Sequence, residues 1–118
     1  MKTLATAVFA LALHLTLGWA WTLGAAIAGG AWAGRGGWRV GLFALLLEWG
    51  ALVAYNFVVA PGPTSRMAAT MGRLFGNIPG FLVVASTLLI GAVLGALGGA
   101  VGTQLRLLID RNFNRRAR

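Results

Sequence analysis

The sequence predicts an all-α membrane protein of three transmembrane helices, with a short interfacial amphipathic helix between the second and third. Three observations carry this expectation. The 118 residues are 58% hydrophobic and only 10% charged, with a mean hydropathy of +0.81, whereas a soluble domain carries about a quarter charged residues. The apolar residues gather into three runs, each long enough to cross a hydrocarbon core of about 30 Å. Finally, at 100° per residue, Gly91, Gly95, Gly98 and Gly102 fall within about a 60° arc of one helix surface, with Ile90, Val93, Leu94, Leu97 and Val101 on the other side.

That glycine face calls for a physical reason. Gly in a helix interior costs roughly 1 kcal/mol against Ala, and helices in lipid associate through close backbone approach instead of hydrophobic drive. A flat face therefore implies a close neighbour, expected to be a larger membrane subunit or a second copy of this chain. Gly99 at the edge of the stripe and Gly18 in the first run are counted with the packing surface.

Taken in order, the first span is expected over about 4–30. The whole uncharged run would reach roughly 45 Å as one helix, so it must tilt, protrude or break, and Gly29-Gly30 is the expected stop. Met1-Lys2 before an apolar run resembles a signal peptide, but the run is too long for an ordinary h-region and reads as a retained span. Trp32, Arg35, Trp38 and Arg39, set among glycines, have the mixture of an interfacial turn. The second span covers about 40–60 and stops at Pro61-Gly62-Pro63. Residues 64–76 read as the surface helix: Thr64 or Ser65 caps it, and Met67, Met71, Leu74 and Phe75 share its apolar face. The third span covers about 79–109, and 110–118 is a basic tail.

The net charge is +8, with basic residues at the ends of apolar runs, so their expected partners are lipid headgroups or an acidic subunit surface and not nucleic acid. These are Arg35, Arg39, Arg66, Arg73, Arg111, Arg115, Arg116 and Arg118. With three spans, seven of the ten basic residues share a side with the C-terminus. The positive-inside bias then puts the C-terminus in the cytoplasm and the N-terminus outside, in a bacterial inner membrane. There is no Cys, which removes disulfides, Cys-based metal sites and iron–sulfur ligation.

Ionisable groups within apolar spans are functional candidates by default. Here they are His14 in the first span and Glu48 in the second, each on a face rich in small residues, with Asn56 at the margin of the Glu48 face. Both lie within about two helical steps of the midplane, so a His14–Glu48 contact is geometrically reasonable. Such a pair either handles a proton or cation, or satisfies two buried polar groups. The second reading is preferred, because a transport path needs more polar residues than this chain has. Arg106 and Asp110, four apart, are expected to form a local pair of small value.

The stretch Ala10-Leu-Ala-Leu-His14, with Trp19 and Trp21 downstream, resembles the Ala-x-x-x-His pattern of bacterial light-harvesting antenna polypeptides. That resemblance implies His14 as a bacteriochlorophyll or haem ligand, Ala10 as the spacer for the macrocycle and Trp21 as a ring contact. It covers about a dozen residues, and those polypeptides are shorter, with a single span. No nucleotide loop, Ser/His/Asp order or metal-ligand cluster is present. The expected function is therefore non-catalytic: an accessory subunit of a larger membrane complex, with no cofactor required and lipid as its expected ligand. The alternatives are a small homo-oligomeric transporter using Glu48 and His14, and a pigment-binding photosynthetic subunit.

Overall fold

A computed structural model describes the backbone of residues 1–116 and the side chains through Asn114. Arg118 and the side chains of Arg115 and Arg116, expected at lipid headgroups, lie outside the described residues. The described residues form five helices and no strand: α1 (Lys2–Leu17), α2 (Trp21–Ala33), α3 (Gly37–Val59), α4 (Pro61–Leu74) and α5 (Gly80–Arg116). Two of these, α3 and α5, are long and apolar enough to cross a membrane.

The first apolar run departs most from expectation. It is a helical hairpin, not one span, and the break falls at Gly18-Trp19-Ala20 instead of Gly29-Gly30. Gly18 adopts φ +99°, a conformation L side chains rarely take, and its N–H closes the last turn of α1 on the His14 carbonyl. α2 then runs back along α1, bringing Gly29 against the Thr6 side chain. Gly29 and Gly30 are buried within α2, because their missing side chains admit α1 on one side and Gly99 of α5 on the other.

The hairpin also relocates the N-terminus. Lys2 Nζ donates to the Trp32 carbonyl at 3.3 Å, and Arg106 Nη1 donates to the same carbonyl at 3.2 Å and to that of Ala31 at 3.1 Å. The start of the chain and the C-terminal half of α5 therefore sit at one end of the molecule, not at opposite ends as three simple spans require.

The core is built from small residues. Ala10, Ala25, Ala26 and Leu45 are fully buried, with Leu13 and Leu94 against them. α5 lies in the crease between α2 and α3, and its glycines face both. A Cβ at Gly95 or Gly99 would strike the Gly41 or Gly37 carbonyl of α3, and one at Gly102 would strike the Ile27 carbonyl of α2. At Gly98 it would lie 2.9 Å from Ala26 Cβ, and at Gly91 2.9 Å from the Trp49 ring. The expected close neighbour of this face is thus the chain itself. Gly18, counted with the same surface, has nothing within 4 Å; its role is the turn, not packing.

α3 and α4 fall close to the bounds expected for the second span, 40–60, and the surface helix, 64–76. α4 begins at Pro61, where the missing N–H costs nothing. Thr64, expected to cap that helix, instead donates its hydroxyl to the Asn56 carbonyl at 3.0 Å. α4 meets the start of α5 through Gly72, Ala68 and Gly80, so Met67, Leu74 and Phe75 stay exposed. α5 continues through Arg116, where a tail from 110 is expected, because no Gly or Pro interrupts the sequence after Gly102.

Candidate functional site

His14 and Glu48 come together. Glu48 stands near the middle of α3, and its side chain is fully buried. His14, one turn before the end of α1, turns Nδ1 toward Glu48 Oε1 at 2.5 Å and keeps a quarter of its side chain exposed. The imidazole meets Trp49 edge-on, with ring centroids 6.5 Å apart. Glu48 Oε2 and Trp49 Nε1 are buried and have no hydrogen-bond partner among the described residues. Unsatisfied polar atoms are costly in an apolar interior.

The depth of the pair follows from helix lengths. Measured along α3 at 1.5 Å per residue, Glu48 lies about 12 Å from Val40 and about 17 Å from Val59. The hairpin ends about 5 Å beyond His14, so its tip stops roughly 12 Å short of the far end of α3. Nothing from α1 or α2 covers α3 above that level. This is why Asn56, expected among the buried polar residues, is exposed and turns its Nδ2 back to the Leu52 carbonyl at 2.8 Å.

The same shortfall opens a groove. A cavity of about 340 Å³ lies beside the pair, walled by His14, Trp49, Leu52 and Thr87 among others. A second, of about 730 Å³, lies under α4 and is lined mainly by apolar residues, including Met67, Met71, Phe75 and Val84. Val53, Asn56 and Thr87 line both, so the two lie side by side along one groove.

The remaining candidates fall elsewhere. Trp21 lies on the hairpin tip, 55% exposed, and no contact joins it to His14 among the described residues. Ala10, the spacer of the antenna-like pattern, is fully buried in the core, so the room it would leave for a macrocycle is filled by the chain's own helices. Arg39 stacks over Trp38 at 5.2 Å and Lys2 over Trp32 at 5.8 Å, at the end where an interfacial belt was expected. Arg35, Arg66 and Arg73 are exposed, as is Arg111. Arg106 and Asp110 approach only to 3.8 Å in the open, which contributes little.

Sequence reasoning missed the more consequential role of Arg106. With Lys2 and Thr103, it satisfies the terminal carbonyls of α2: Thr103 Oγ1 donates to Gly34 at 3.0 Å, and Arg106 to Ala31 and Trp32. The α1 end of the hairpin has no such cap, and no hydrogen bond reaches the carbonyls of Leu15, Thr16 or Leu17 among the described residues. No group of three or more His, Cys, Asp or Glu that might hold a metal occurs among the described residues. No protein-family model, curated protein or solved structure matches this chain.

Proposed function

We propose that this chain is a non-catalytic subunit of a larger integral membrane complex, docked to its neighbours through the tip of the α1–α2 hairpin. The observation that carries the reading is that tip: non-helical backbone that stops roughly 12 Å short of the far end of α3, three carbonyls without donors among the described residues, and Trp19 and Trp21 at 62% and 55% exposure. With α3 across the bilayer, the tip falls at hydrocarbon depth. Irregular backbone is tolerated at that depth only where protein or a water-filled cavity covers it. Exposed tryptophans beside it suit a protein partner. The glycine face does not support this reading, since α2 and α3 already occupy it.

In this reading α3 and α5 cross the membrane, the hairpin enters from one side and turns back partway, and α4 lies in the opposite interface. Lys2, Arg35, Arg39, Arg106 and Arg111 belong to one end of the molecule, with Arg66 and Arg73 at the other. By the positive-inside bias both termini are then cytoplasmic, in an inner membrane. This replaces the orientation expected from three simple spans, which had the N-terminus outside.

The test is site-specific photo-crosslinking in native membranes. A photoreactive residue at position 19 or 21 should give discrete adducts with a larger membrane protein, and one at Phe43, exposed on α3, should give mainly lipid adducts. Lipid adducts alone at all three positions would end the proposal. Adducts between identical chains would replace the larger complex with a homo-oligomer.

A further inference from the structure

The groove beside His14 has the two-part character of a ligand site. Its deep end carries a polar edge, and its outer part is an apolar channel lined by flexible methionines, which adapt readily to an apolar guest. Its two sections, about 340 and 730 Å³, are each of a size that takes a small molecule.

Electroneutrality fixes what the deep end offers. A buried acid–base pair in hydrocarbon is least costly with no net charge. Imidazolium facing carboxylate satisfies this, and so does neutral imidazole facing a protonated carboxyl. Both arrangements hold one proton between Nδ1 and Oε1 and leave the other on Nε2, whereas a carboxyl protonated on Oε2 would bury an O–H with no acceptor among the described residues. Glu48 is fully buried and His14 is a quarter exposed in the groove wall, so the open edge of the imidazole is the Nε2–H edge. The groove thus presents a hydrogen-bond donor at mid-depth. Axial ligation of a neutral magnesium tetrapyrrole would need a bare Nε2, which leaves the buried pair either with net negative charge or with an Oε2–H that has no acceptor among the described residues.

The geometry points to a binding site for an uncharged lipid whose ring carries a carbonyl oxygen and a single apolar chain, the chemistry of an isoprenoid quinone. The carbonyl accepts from His14 Nε2–H, the ring lies against Trp49, and the chain passes Thr87 into the channel under α4. A charged phospholipid head is unsuited to this depth. The site adjoins the hairpin tip, since Leu15 lines its deep end, but the argument for it does not rest on the docking proposed above.

The experiment titrates decylubiquinone into the purified full-length chain in detergent micelles by isothermal calorimetry, with decylbenzene as a ring-and-chain control that lacks oxygen. Saturable one-to-one binding of decylubiquinone is expected, at least tenfold tighter than any binding of decylbenzene. His14→Phe should weaken it about tenfold or more. Since that change also strands Glu48, Thr87→Phe provides a second variant, which blocks the junction of the two cavities and leaves the pair intact. It should abolish binding while circular dichroism and elution volume stay unchanged. The proposal falls if decylubiquinone gives no saturable heat, if decylbenzene binds equally well, or if Thr87→Phe binds normally. It also falls if the chain purifies with a tetrapyrrole absorption band that His14→Phe removes.

Discussion

The buried pair sets the stakes at the scale of single residues. Removing His14 alone leaves a carboxylate in the core without its partner, whereas removing both groups leaves an apolar site. His14→Leu should therefore cost about 3 kcal/mol, in line with the usual penalty for breaking a buried pair. The double variant His14→Leu/Glu48→Met should recover most of that loss. Reversible unfolding in mixed micelles would measure both, and a double variant as unstable as the single one would contradict the account. The pair itself was legible in the sequence, since each group sat near mid-span on a face of small residues. The exposure of Asn56 was not, because it depends on where a different helix stops.

At the scale of helices, glycines of identical type do different work, and only contacts separate them. Gly24 is an ordinary helical position facing open space. Gly24→Ala should stabilise the chain by up to about 1 kcal/mol through helix propensity. Gly99→Ala puts a methyl into the Gly37 carbonyl and backbone of α3. Separating two packed backbones there should cost roughly 1–3 kcal/mol, as overpacking generally does. Gly18→Ala meets no neighbour but must hold φ +99°, so it should destabilise the hairpin by roughly 1 kcal/mol or more. Thermal midpoints of the three variants in one detergent would rank them Gly24→Ala, wild type, then the other two. The stripe on α5 could be read from periodicity alone. Gly18 and Gly29 could not be told apart that way, since both interrupt an apolar run and only tertiary packing decides which one turns the chain.

For the whole molecule, the hairpin governs both topology and surface. Because Lys2 and Arg106 meet at the Trp32 carbonyl, the start of the chain and the C-terminal half of α5 share an end. The natural sequence has no cysteine, so single introduced thiols report cleanly. In sealed inverted vesicles, Lys2→Cys and Asn114→Cys should both react with a membrane-impermeant maleimide, and Arg66→Cys should react only after the vesicles are opened. Labelling of Lys2→Cys and Asn114→Cys from opposite faces would instead restore the arrangement of three simple spans. The short hairpin also leaves the outer part of α3 uncovered, and the groove beneath α4 exists for that reason.

The sequence by itself determined the helical, strongly apolar character of the chain, because hydropathy and the glycine stripe are local patterns that survive without knowledge of neighbours. It also placed an acid and an imidazole at matching depth. Tertiary structure alone decided that the glycine face is filled by α2 and α3, that the first apolar run doubles back, and that the start of the chain shares an end with the C-terminal half of α5. The physical reason is that a bare helix face specifies a close neighbour without saying whose, and only the packed chain determines which backbone comes near enough to fill it.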